Sequence, residues 1–401
     1  MTTEFDTIVL GLGAMGSATL YQLAKRGNKV LGIEQFNSPH HFGSSHGETR
    51  IIRQAIGEGA EYVPLVLRSY ELFREIEKES GRQVLTVTGG LVISSRAAKS
   101  YCHVADFFTN TVEAAKKYNI KHDMLTANDI RKRFPQFNVS DNEEGYFEHN
   151  AGFLRPEECI MAQLELAKKH GAHIHLSEKV LKYEATSDQV SVITNKGKYT
   201  AKKLVISAGS WLPELIHENH GRHFRITRQV VHWFDVKGSP EPYLQDKFPI
   251  FIWQLPNNNQ GIYGFPALDG KGGVKIGTEQ DSMTTKSDLV DRKVSTKEVQ
   301  EMYSTYIEPN FPGLSDKCLK SVVCLYNVTP DAGFVIDKHP DHQNIIIASP
   351  CSGHGFKHSA AIGEVLAQLV VDGKSKLDIS KFSFKRFVQQ VKPKSLPRPS
   401  L

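Results

Sequence analysis

Three glycines near the start of the chain have the types and spacing to hold a nucleotide. Gly11, Gly13 and Gly16 follow the pattern Gly-x-Gly-x-x-Gly. The first glycine permits a tight turn, the second lets backbone N–H groups approach a pyrophosphate, and the third lets a helix pack close to a sheet. Glu34 follows the next apolar run, where its carboxylate would accept a hydrogen bond from a ribose 2′-hydroxyl and repel a phosphate. The pattern predicts a dinucleotide site that disfavours NADP; the alternative is a glycine-rich turn without a ligand.

A later stretch separates FAD from NAD, which the glycine motif alone does not do. Residues 171–180 form a predicted strand, residues 190–199 a predicted hairpin with an Asn-Lys-Gly turn, and the next strand ends at Ala208-Gly209. This order of elements is typical of FAD enzymes rather than of nicotinamide dehydrogenases. We therefore predict FAD as the cofactor.

Local patterns also define the elements that position the glycine motif. Residues 6–10 and 29–33 are short β-branched runs, as in buried parallel strands. Residues 17–26 form an amphipathic helical stretch whose N-terminus would stabilise a diphosphate. The full chain of 401 residues is too long for one ordinary core, so two lobes are expected.

Composition limits the classes of partner and compartment. The net charge of +5 comes from scattered lysines and arginines, which favours small anionic substrates over nucleic acid. No apolar run approaches the roughly 18 residues of a membrane span, and no secretory signal precedes the first strand. Five widely spaced cysteines are an odd number, which fits a reducing compartment. We expect a cytoplasmic protein whose terminal Pro-Ser-Leu is a frayed end rather than a peroxisomal address.

Several longer motifs resemble the monomeric sarcosine oxidase and N-methyltryptophan oxidase family. They run in family order over nearly the whole chain and comprise residues 43–53, 62–68, 321–326, 329–331, 334–337 and 352–357. The resemblance implies an α/β fold, in which a discontinuous FAD-binding Rossmann-like domain of the glutathione-reductase type is joined to an α+β substrate domain of mixed sheet. The implied division is 1–88, 151–220 and 324–388 for the FAD-binding domain, 89–150 and 221–323 for the substrate domain, and 389–401 for a C-terminal tail. It also implies a monomer.

The resemblance assigns chemistry to two residues that stand on predicted strands. Cys324 matches the cysteine that forms a thioether with the 8α carbon of the flavin, and a thiolate is a natural nucleophile for this bond. The alternative interpretation is that Cys324 is a small hydrophobic residue buried in the core. Lys275 matches a lysine held over the flavin ring, where a buried cation would assist the reaction with oxygen. Its alternative is a strand lysine that points to water.

Further matches concern the substrate and the flavin ring. Arg53 and Lys357 match the pair that holds the substrate carboxylate, a role that suits a guanidinium fork and a point charge. Arg50 and His46 match residues placed against the ring, where a positive group stabilises reduced flavin. For both arginines the alternative is a surface position. Tyr263 matches a tyrosine that lines the substrate pocket, with a core aromatic as the alternative.

The predicted site can be stated residue by residue. The catalytic residues are Lys275, Arg50, His46 and Tyr263, and the substrate-binding residues are Arg53, Lys357, Tyr263 and Glu279. The predicted cofactor-binding residues are Gly11, Gly13, Met15, Gly16, Glu34, Gln35, Ser44, Ser45, Arg50, Val180, Ala208, Gly209, Trp211, Cys324, Gly353, His354, Gly355 and Lys357. The turn around His354 precedes the last helix, where backbone N–H groups could face the flavin.

Two positions depart from the family pattern. Glu279 stands where relatives that oxidise N-methyl amino acids commonly carry a histidine near the substrate, and a carboxylate there would favour a substrate with an extra cation or point elsewhere. Residues 349–351 read Ser-Pro-Cys instead of Ala-Gly-Phe. Both changes leave the flavin chemistry intact and weaken the assignment of sarcosine as the substrate.

These observations predict an FAD-dependent oxidase of secondary amino acids, which passes hydride from the carbon next to nitrogen to flavin N5 and reduces oxygen to hydrogen peroxide. The alternatives are an oxidase of a cyclic or glycated amino acid, a flavin dehydrogenase that uses a carrier, a nicotinamide enzyme, and a flavin-binding protein without turnover. Histidines cluster at 40, 41 and 46 and at 217, 220 and 223, but neither cluster has the cysteine or carboxylate partners of a structural zinc site. We expect no metal.

Overall fold

The computed structural model describes residues 3–95, 104–255, 261–268, 272–280 and 283–388, so the predicted tail at 389–401 lies outside the described residues. The strands are β1 (Thr3–Leu10), β2 (Val30–Ile33), β3 (Arg50–Ile52), β4 (Leu85–Val87), β5 (Gly90–Ser95), β6 (His122–Thr126), β7 (Glu143–Glu148), β8 (Gly152–Leu154), β9 (His173–His175), β10 (Val180–Ala185), β11 (Val190–Thr194), β12 (Lys198–Ile206), β13 (Arg225–Val236), β14 (Ile250–Trp253), β15 (Ile262–Phe265), β16 (Val274–Thr278), β17 (Leu314–Val328), β18 (Val335–His339) and β19 (His342–Ser349). The α-helices are α1 (Ala14–Lys25), α2 (Val63–Ser80), α3 (Phe107–Lys117), α4 (Ala127–Arg133), α5 (Pro156–Lys169), α6 (Leu212–Leu215), α7 (Glu218–Gly221), α8 (Thr296–Met302), α9 (Ser359–Val371) and α10 (Lys385–Val388). Short 3-10 helices occur at Ala60–Tyr62, Gly209–Trp211, Glu241–Tyr243, Ser287–Leu289, Phe356–His358 and Ser380–Phe382, and a π-helix at Tyr303–Ile307.

The first sheet has the order β10-β11-β12-β1-β2-β9, and β19 pairs with both β12 and β18. Strand β1 is parallel to β2 and β12, and its Ile8, Val9 and Leu10 are buried because helices and neighbouring strands cover it. Helices α1, α5 and α9 pack together. The predicted strand–turn–helix–strand unit is confirmed, although α1 begins at Ala14 rather than at residue 17 because Gly13 is its N-cap.

One strand prediction in this sheet is wrong. Residues 171–180 do not form a single strand, because β9 ends at His175 and β10 begins at Val180. Ser177 has a φ of 53°, and its N–H donates to the carbonyl of Phe36. The N–H of Glu178 donates to the carbonyl of Glu34. These bonds to the segment after β2 turn the chain between the two strands and bring Val180 to the end of β2.

The second sheet is mixed, with the order β17-β13-β16-β15-β14-β5-β7-β6. Only β14 and β5 are parallel among its strand pairs. A cluster of aromatic rings packs on it, including Phe137, Phe251 and Trp253. The first sheet, whose central strands β9, β2, β1, β12 and β19 are parallel, and the separate second sheet confirm the predicted α/β class with a second, mixed-sheet part. The domain boundaries stay a prediction, and the one at residue 324 falls inside β17.

A small antiparallel sheet, β3-β8-β4, supplies the strand that carries Arg50 and ends just before Arg53. Arg50 pairs with Leu154 and Ile52 with Gly152. This sheet therefore places two predicted site arginines between the two large sheets. Within the described part of the chain, no helix combines the length and apolarity that crossing a membrane requires.

Candidate active site

The glycine turn forms a cradle with little spare space on the protein side. Gly11 has a φ of +84°, and a Cβ there would lie 2.7 Å from the carbonyl oxygen of Ser207. A Cβ on Gly16 would lie 1.7 Å from the carbonyl oxygen of Gly11. The nearest atom to a Cβ on Gly13 would be Oγ of Ser45, at 3.7 Å. Gly11 and Gly16 thus hold the turn together, while Gly13 leaves space on the side of the cavity.

A cavity of about 350 Å³ opens from this turn. The predicted cofactor-binding residues that line it are Gly13, Met15, Glu34, Gln35, Ser44, Ser45, Arg50, Val180, Ala208, Gly209, Trp211, Gly353 and Gly355. Most of them follow the carboxyl ends of β1, β2, β12 and β19 or lie in the loop before β3, because the carboxyl ends of parallel strands meet at one edge of a sheet. Met15 lies in α1, Arg50 in β3 and Val180 at the start of β10. The cavity fits the adenosine diphosphate half of FAD, with backbone N–H groups at the start of α1 available to the diphosphate.

Glu34 is only 5% exposed and stands at the end of β2. Its two carboxylate oxygens accept hydrogen bonds from the N–H of Leu12, at 2.8 Å, and of Phe36, at 3.1 Å. Burial raises the pKa of Glu34, and the two backbone donors oppose that shift. Because each carboxylate oxygen has a second lone pair, Glu34 can hold the glycine turn and still accept a ribose hydroxyl.

Two alanine substitutions distinguish the contribution of the glycine turn to stability from its contribution to FAD binding. Gly16→Ala is expected to lower both FAD content and the free energy of unfolding, the latter by about 1–3 kcal/mol, because its Cβ meets backbone. Gly13→Ala is expected to lower FAD affinity with little change in apoprotein stability, because its Cβ fits the protein and points to the space for the diphosphate. Denaturant unfolding of the apoproteins and titration with FAD check both; equal loss of apoprotein stability in the two variants would contradict this assignment.

A second cavity of about 90 Å³ adjoins the first and shares Arg50, Tyr326, Gly353 and Phe356 with it. The predicted residues that line it are Arg50, Arg53, Tyr263, Lys275, Glu279, Cys324, Gly353, His354 and Lys357. Its other walls are mainly apolar or aromatic, namely Ile51, Phe107, Val231, Ile252, Ile262 and Phe265. The structure thus brings together side chains that are far apart in the sequence around one small, largely apolar space.

Arg53 and Lys357 form a cationic end of the small cavity. Arg53 is 2% exposed, and its Nη2 lies 2.5 Å from Oε2 of Glu58. Its Nη1 donates to the carbonyl of Ala55, whereas its buried Nε has no hydrogen-bond partner among the described residues. Nζ of Lys357 donates to the carbonyl of His354, at 2.6 Å, and lies 4.0 Å from Oε1 of Glu58. Because both cations retain donor capacity, this end can receive one carboxylate.

Glu58 is a site residue that the sequence analysis missed. It lines the small cavity next to Arg53 and Lys357 and contributes a negative charge between them. Burial lowers the pKa of Lys357 to about 7, and Glu58 is the largest influence in the opposite direction. The available signal was its position in a Gly-Glu-Gly sequence just after Arg53.

Lys275 is buried in the middle of the mixed sheet and does not point to water. It is 2% exposed, and its Nζ donates to the carbonyls of Gly47, at 2.7 Å, and Thr49, at 3.0 Å. The same Nζ lies 4.6 Å from the ring centre of Phe265 and 5.2 Å from that of Trp233. Burial is the main cause that lowers the pKa of Lys275 to about 7. This environment holds the ammonium group of Lys275 next to the small cavity.

Arg50 and Cys324 lie side by side where the two cavities meet. Nη2 of Arg50 donates to the carbonyl of Ser44, at 2.6 Å, and lies 3.7 Å from Sγ of Cys324. Cys324 is buried on β17 opposite Gln229 on β13. The hydroxyl of Tyr263 lies 3.4 Å from that of Tyr326, a second residue that the sequence analysis did not single out.

Two of the predicted site residues are buried histidines, and their placement relative to the flavin stays a prediction. His46 is buried but lines neither cavity, and burial lowers its pKa to about 3, so it is neutral. His354 lines the small cavity, and its Nε2 lies 3.0 Å from the carbonyl of Ala332 while its ring stacks on Phe334.

Residues 217–223 carry no metal-ligating arrangement. His220 lies 3.0 Å from a carboxylate oxygen of Asp341. Over the ranges that the structure describes, no group of three or more His, Cys, Asp or Glu side chains is arranged to hold a metal ion.

Comparisons with known proteins agree with this geometry. Residues 6–369 match the family model DAO, described as FAD dependent oxidoreductase. A monomeric sarcosine oxidase from Bacillus sp. strain B-0618 is 41% identical over 390 residues, which are 96% of this chain and 97% of that protein. The N-methyl-L-tryptophan oxidase of Escherichia coli strain K12 is 34% identical over 387 residues, which are 96% of this chain and all of that protein (100%).

A solved structure supports the fold alone. NikD, described as an unusual amino acid oxidase essential for nikkomycin biosynthesis, superposes with a TM-score of 0.81 at 21% identity and covers 95% of this chain and 98% of that one. The resemblance drawn from the sequence motifs and the prediction of FAD are confirmed. The chain belongs to the DAO family of FAD-dependent oxidoreductases.

Proposed function

We propose that this enzyme oxidises the C–N bond of secondary amino acids and delivers the electrons to oxygen. The observation that carries the proposal is the pair of buried cations, Arg53 and Lys357, at one end of a small apolar cavity that adjoins the FAD cradle. The relatives named above support it, since the substrates in their names are N-methyl amino acids. FAD, when bound, supplies the N5 position that accepts hydride and the route by which two electrons reach oxygen.

Different residues of the small cavity bind different parts of the substrate. Arg53 donates from its guanidinium, and Lys357 from its ammonium, to the substrate carboxylate. The apolar walls, among them Phe107 and Phe265, surround the rest of the substrate and favour its amine in the neutral form. A neutral amine needs no general base for loss of hydride, and water then hydrolyses the imine. For an N-methyl substrate, one oxygen and one water are consumed for each formaldehyde and hydrogen peroxide released.

Lys275 has the position for the oxygen step. Its ammonium lies at the wall of the small cavity, buried and held by backbone carbonyls. A fixed positive charge in a site that excludes water stabilises negative charge as it develops on oxygen. The sign of the pH effect follows from the lowered pKa: the charge is present below about pH 7 and is lost as the pH rises above it.

Glu279 is proposed to select among substrates. It lines the small cavity together with Tyr263 and Lys357, so its carboxylate adds a negative charge where the substrate side chain would extend. A side chain with a cationic group would be favoured there over a second acidic group.

Cys324 is proposed to attach the flavin through its sulfur. The Cys324→Ser variant is expected to bind FAD without a covalent bond, because serine is a far weaker nucleophile than a thiolate. Precipitation with acid checks this: colour should stay in the washed pellet of the wild type and pass to the supernatant for the variant. Cys351→Ser is the matched control, since Cys351 lines the adjoining first cavity whereas Cys324 lines the second. Colour that leaves the wild-type pellet would remove the covalent bond from the proposal while keeping FAD.

An aerobic assay of peroxide and aldehyde tests the function. The panel contains sarcosine, N-methyl-L-tryptophan, a cyclic amino acid, a glycated amino acid, and an N-methyl amine without a carboxylate. We expect peroxide with at least one secondary amino acid and very little with the carboxylate-free amine. Peroxide from the carboxylate-free amine at an equal rate would overturn the assignment of Arg53 and Lys357. Oxidation that needs an artificial electron carrier would identify a dehydrogenase.

A further inference from the structure

The ammonium of Lys275 is surrounded by acceptors that belong to one short loop. Its Nζ lies within 2.7 Å of the Gly47 carbonyl, 3.0 Å of the Thr49 carbonyl and 3.2 Å of Oγ1 of Thr49. A protonated lysine has three N–H donors and no acceptor. The three acceptors therefore match the protonated form, and the loop at residues 47–49 determines where the charge sits.

This loop adopts a conformation that it would not take unaided. Gly47 has a φ of +93°, and Glu48, which is not a glycine, has a φ of 71°. A left-handed backbone is unfavourable at a residue with a Cβ, because the Cβ comes too close to the following carbonyl oxygen. Such a conformation persists only where surrounding contacts impose it. Within the loop, the N–H of Thr49 donates to the carbonyl of Gly47, at 2.8 Å, and closes this turn. Further contacts that hold the loop against Lys275 come from outside it.

One of those contacts is the carboxylate of Glu157, in the first turn of α5. Its Oε1 accepts hydrogen bonds from the N–H of Gly47, at 2.7 Å, and from the N–H of Glu48, at 3.2 Å. The N–H of Glu48 and the carbonyl of Gly47 belong to the same peptide group. That peptide group thus lies between a carboxylate at its N–H end and an ammonium at its C=O end, so that its dipole is aligned with both charges and strengthens both bonds.

The side chain of Glu48 holds the other side of the loop. Its Oε2 accepts from Nε1 of Trp233, at 3.0 Å, and its Oε1 lies 2.8 Å from Nζ of Lys320. Trp233 pairs in register with Lys275 on one side and with Lys320 on the other. Glu48 therefore fixes the loop to the mixed sheet, while Glu157 fixes it to helix α5.

The charged groups around Lys275 come from several elements. Burial, and then the charge of Arg50 on β3, lower the pKa of Lys275 to about 7. The groups that act in the opposite direction are the thiol of Cys324 on β17, which carries no charge once its sulfur is bonded to the flavin as proposed, and the carboxylates of Glu157 on α5 and Glu48. Glu157 is the only one of these opposing groups that also bonds the peptide in contact with the ammonium.

We propose that Glu157 is a positioning residue, which holds the peptide group between Gly47 and Glu48 against Lys275 and thereby keeps the ammonium charged and in place. The inference rests on the proposed role of Lys275 in the oxygen step. Glu157 is half-buried and lines neither cavity, so its proposed contribution to the oxygen step acts through Lys275.

Glu158 provides a matched control in the same helix turn. Both acids lie in the first turn of α5, where they interact alike with the helix dipole. Glu158, however, pairs with Arg82 at 2.7 Å and bonds no part of the loop at 47–49. Glu157→Gln and Glu158→Gln each remove one negative charge at the same helix end, and glutamine keeps a carbonyl oxygen that can accept an N–H bond.

The experiment measures the pKa of Lys275 directly in the holoenzyme. Isotope-labelled lysine is titrated by NMR, and the Lys275→Met variant identifies the signal of Lys275. The second readout is the pH profile of the rate at which oxygen reoxidises the reduced enzyme. Glu157→Gln is expected to move both the NMR titration and the pH profile down by about one pH unit, whereas Glu158→Gln should leave both where they are in the wild type.

Each result decides between the proposals. A Lys275 titration that is unchanged in Glu157→Gln overturns the inference about Glu157, whatever the activity. Equal shifts in the two glutamine variants would also overturn it, since a general charge effect at the helix end would then suffice. A shift of the NMR titration without any shift of the oxygen profile would uphold the positioning of Lys275 and overturn its role in the oxygen step.

Discussion

Replacing Lys275 by methionine is expected to slow the reaction of the reduced enzyme with oxygen on the order of 100- to 1,000-fold. Reduction of the enzyme by substrate without oxygen should change only a few fold. The reason is that Lys275 is buried with its ammonium held by the loop at 47–49, whereas binding of the substrate carboxylate is proposed for Arg53 and Lys357. Methionine fills a similar volume, so the variant removes charge more than packing.

Stopped-flow measurements of the two half-reactions check this prediction. Lys317→Met is a suitable control, because Lys317 lies on the mixed sheet but is exposed and pairs with Asp235 at 2.9 Å. Its two half-reactions should match those of the wild type. Equal losses in both half-reactions of Lys275→Met would remove Lys275 from a specific oxygen role and indicate a structural one.

Replacing Arg53 by methionine is expected to weaken the binding of carboxylate substrates and carboxylate inhibitors by about 2–5 kcal/mol, roughly 30-fold or more. Arg53 is buried and lines the small cavity, and its Nε has no hydrogen-bond partner among the described residues. Part of the loss would come from Glu58, which loses its closest cation at 2.5 Å. The affinity for an amine without a carboxylate should change far less.

A double variant separates the two contributions. Arg53→Met with Glu58→Gln removes the unpaired acid, so any loss of affinity that remains belongs to the missing guanidinium. Dissociation constants of carboxylate inhibitors, measured from the change in flavin absorption, give both values. Full recovery of affinity in the double variant would contradict direct binding of the carboxylate by Arg53.

The cradle for FAD was predictable because its determinants are close together in the sequence. Gly11, Gly13 and Gly16 stand in one turn, and Glu34 follows at the end of the next strand. The short-range bonds that hold this turn, such as the one from Leu12 to Glu34, follow from that order. Arg53, Lys275 and Lys357 are far apart in the sequence, and only the family resemblance brought them together before the structure did.

The remaining residues depend on contacts across the fold that local patterns do not contain. Glu157 bonds Gly47 across 110 positions of the chain, so nothing near either residue predicts the pair. Glu58 lies near Arg53 in sequence, but only its burial reveals that it shares the cationic end of the cavity. His46 directly precedes the loop that holds Lys275 and lines neither cavity, so its expected place against the flavin ring stays a prediction. In each case the packing between sheets and helices determines the position.

The most direct test of the proposed function is an anaerobic titration of the holoenzyme with secondary amino acids, followed by admission of a measured amount of oxygen. We expect the flavin colour to bleach with a secondary amino acid that carries a carboxylate, and to return on admission of oxygen with one hydrogen peroxide per flavin. No bleaching with any secondary amine would contradict the proposed substrate class. Bleaching that persists in oxygen would contradict the oxidase assignment and identify an enzyme that passes its electrons to a carrier.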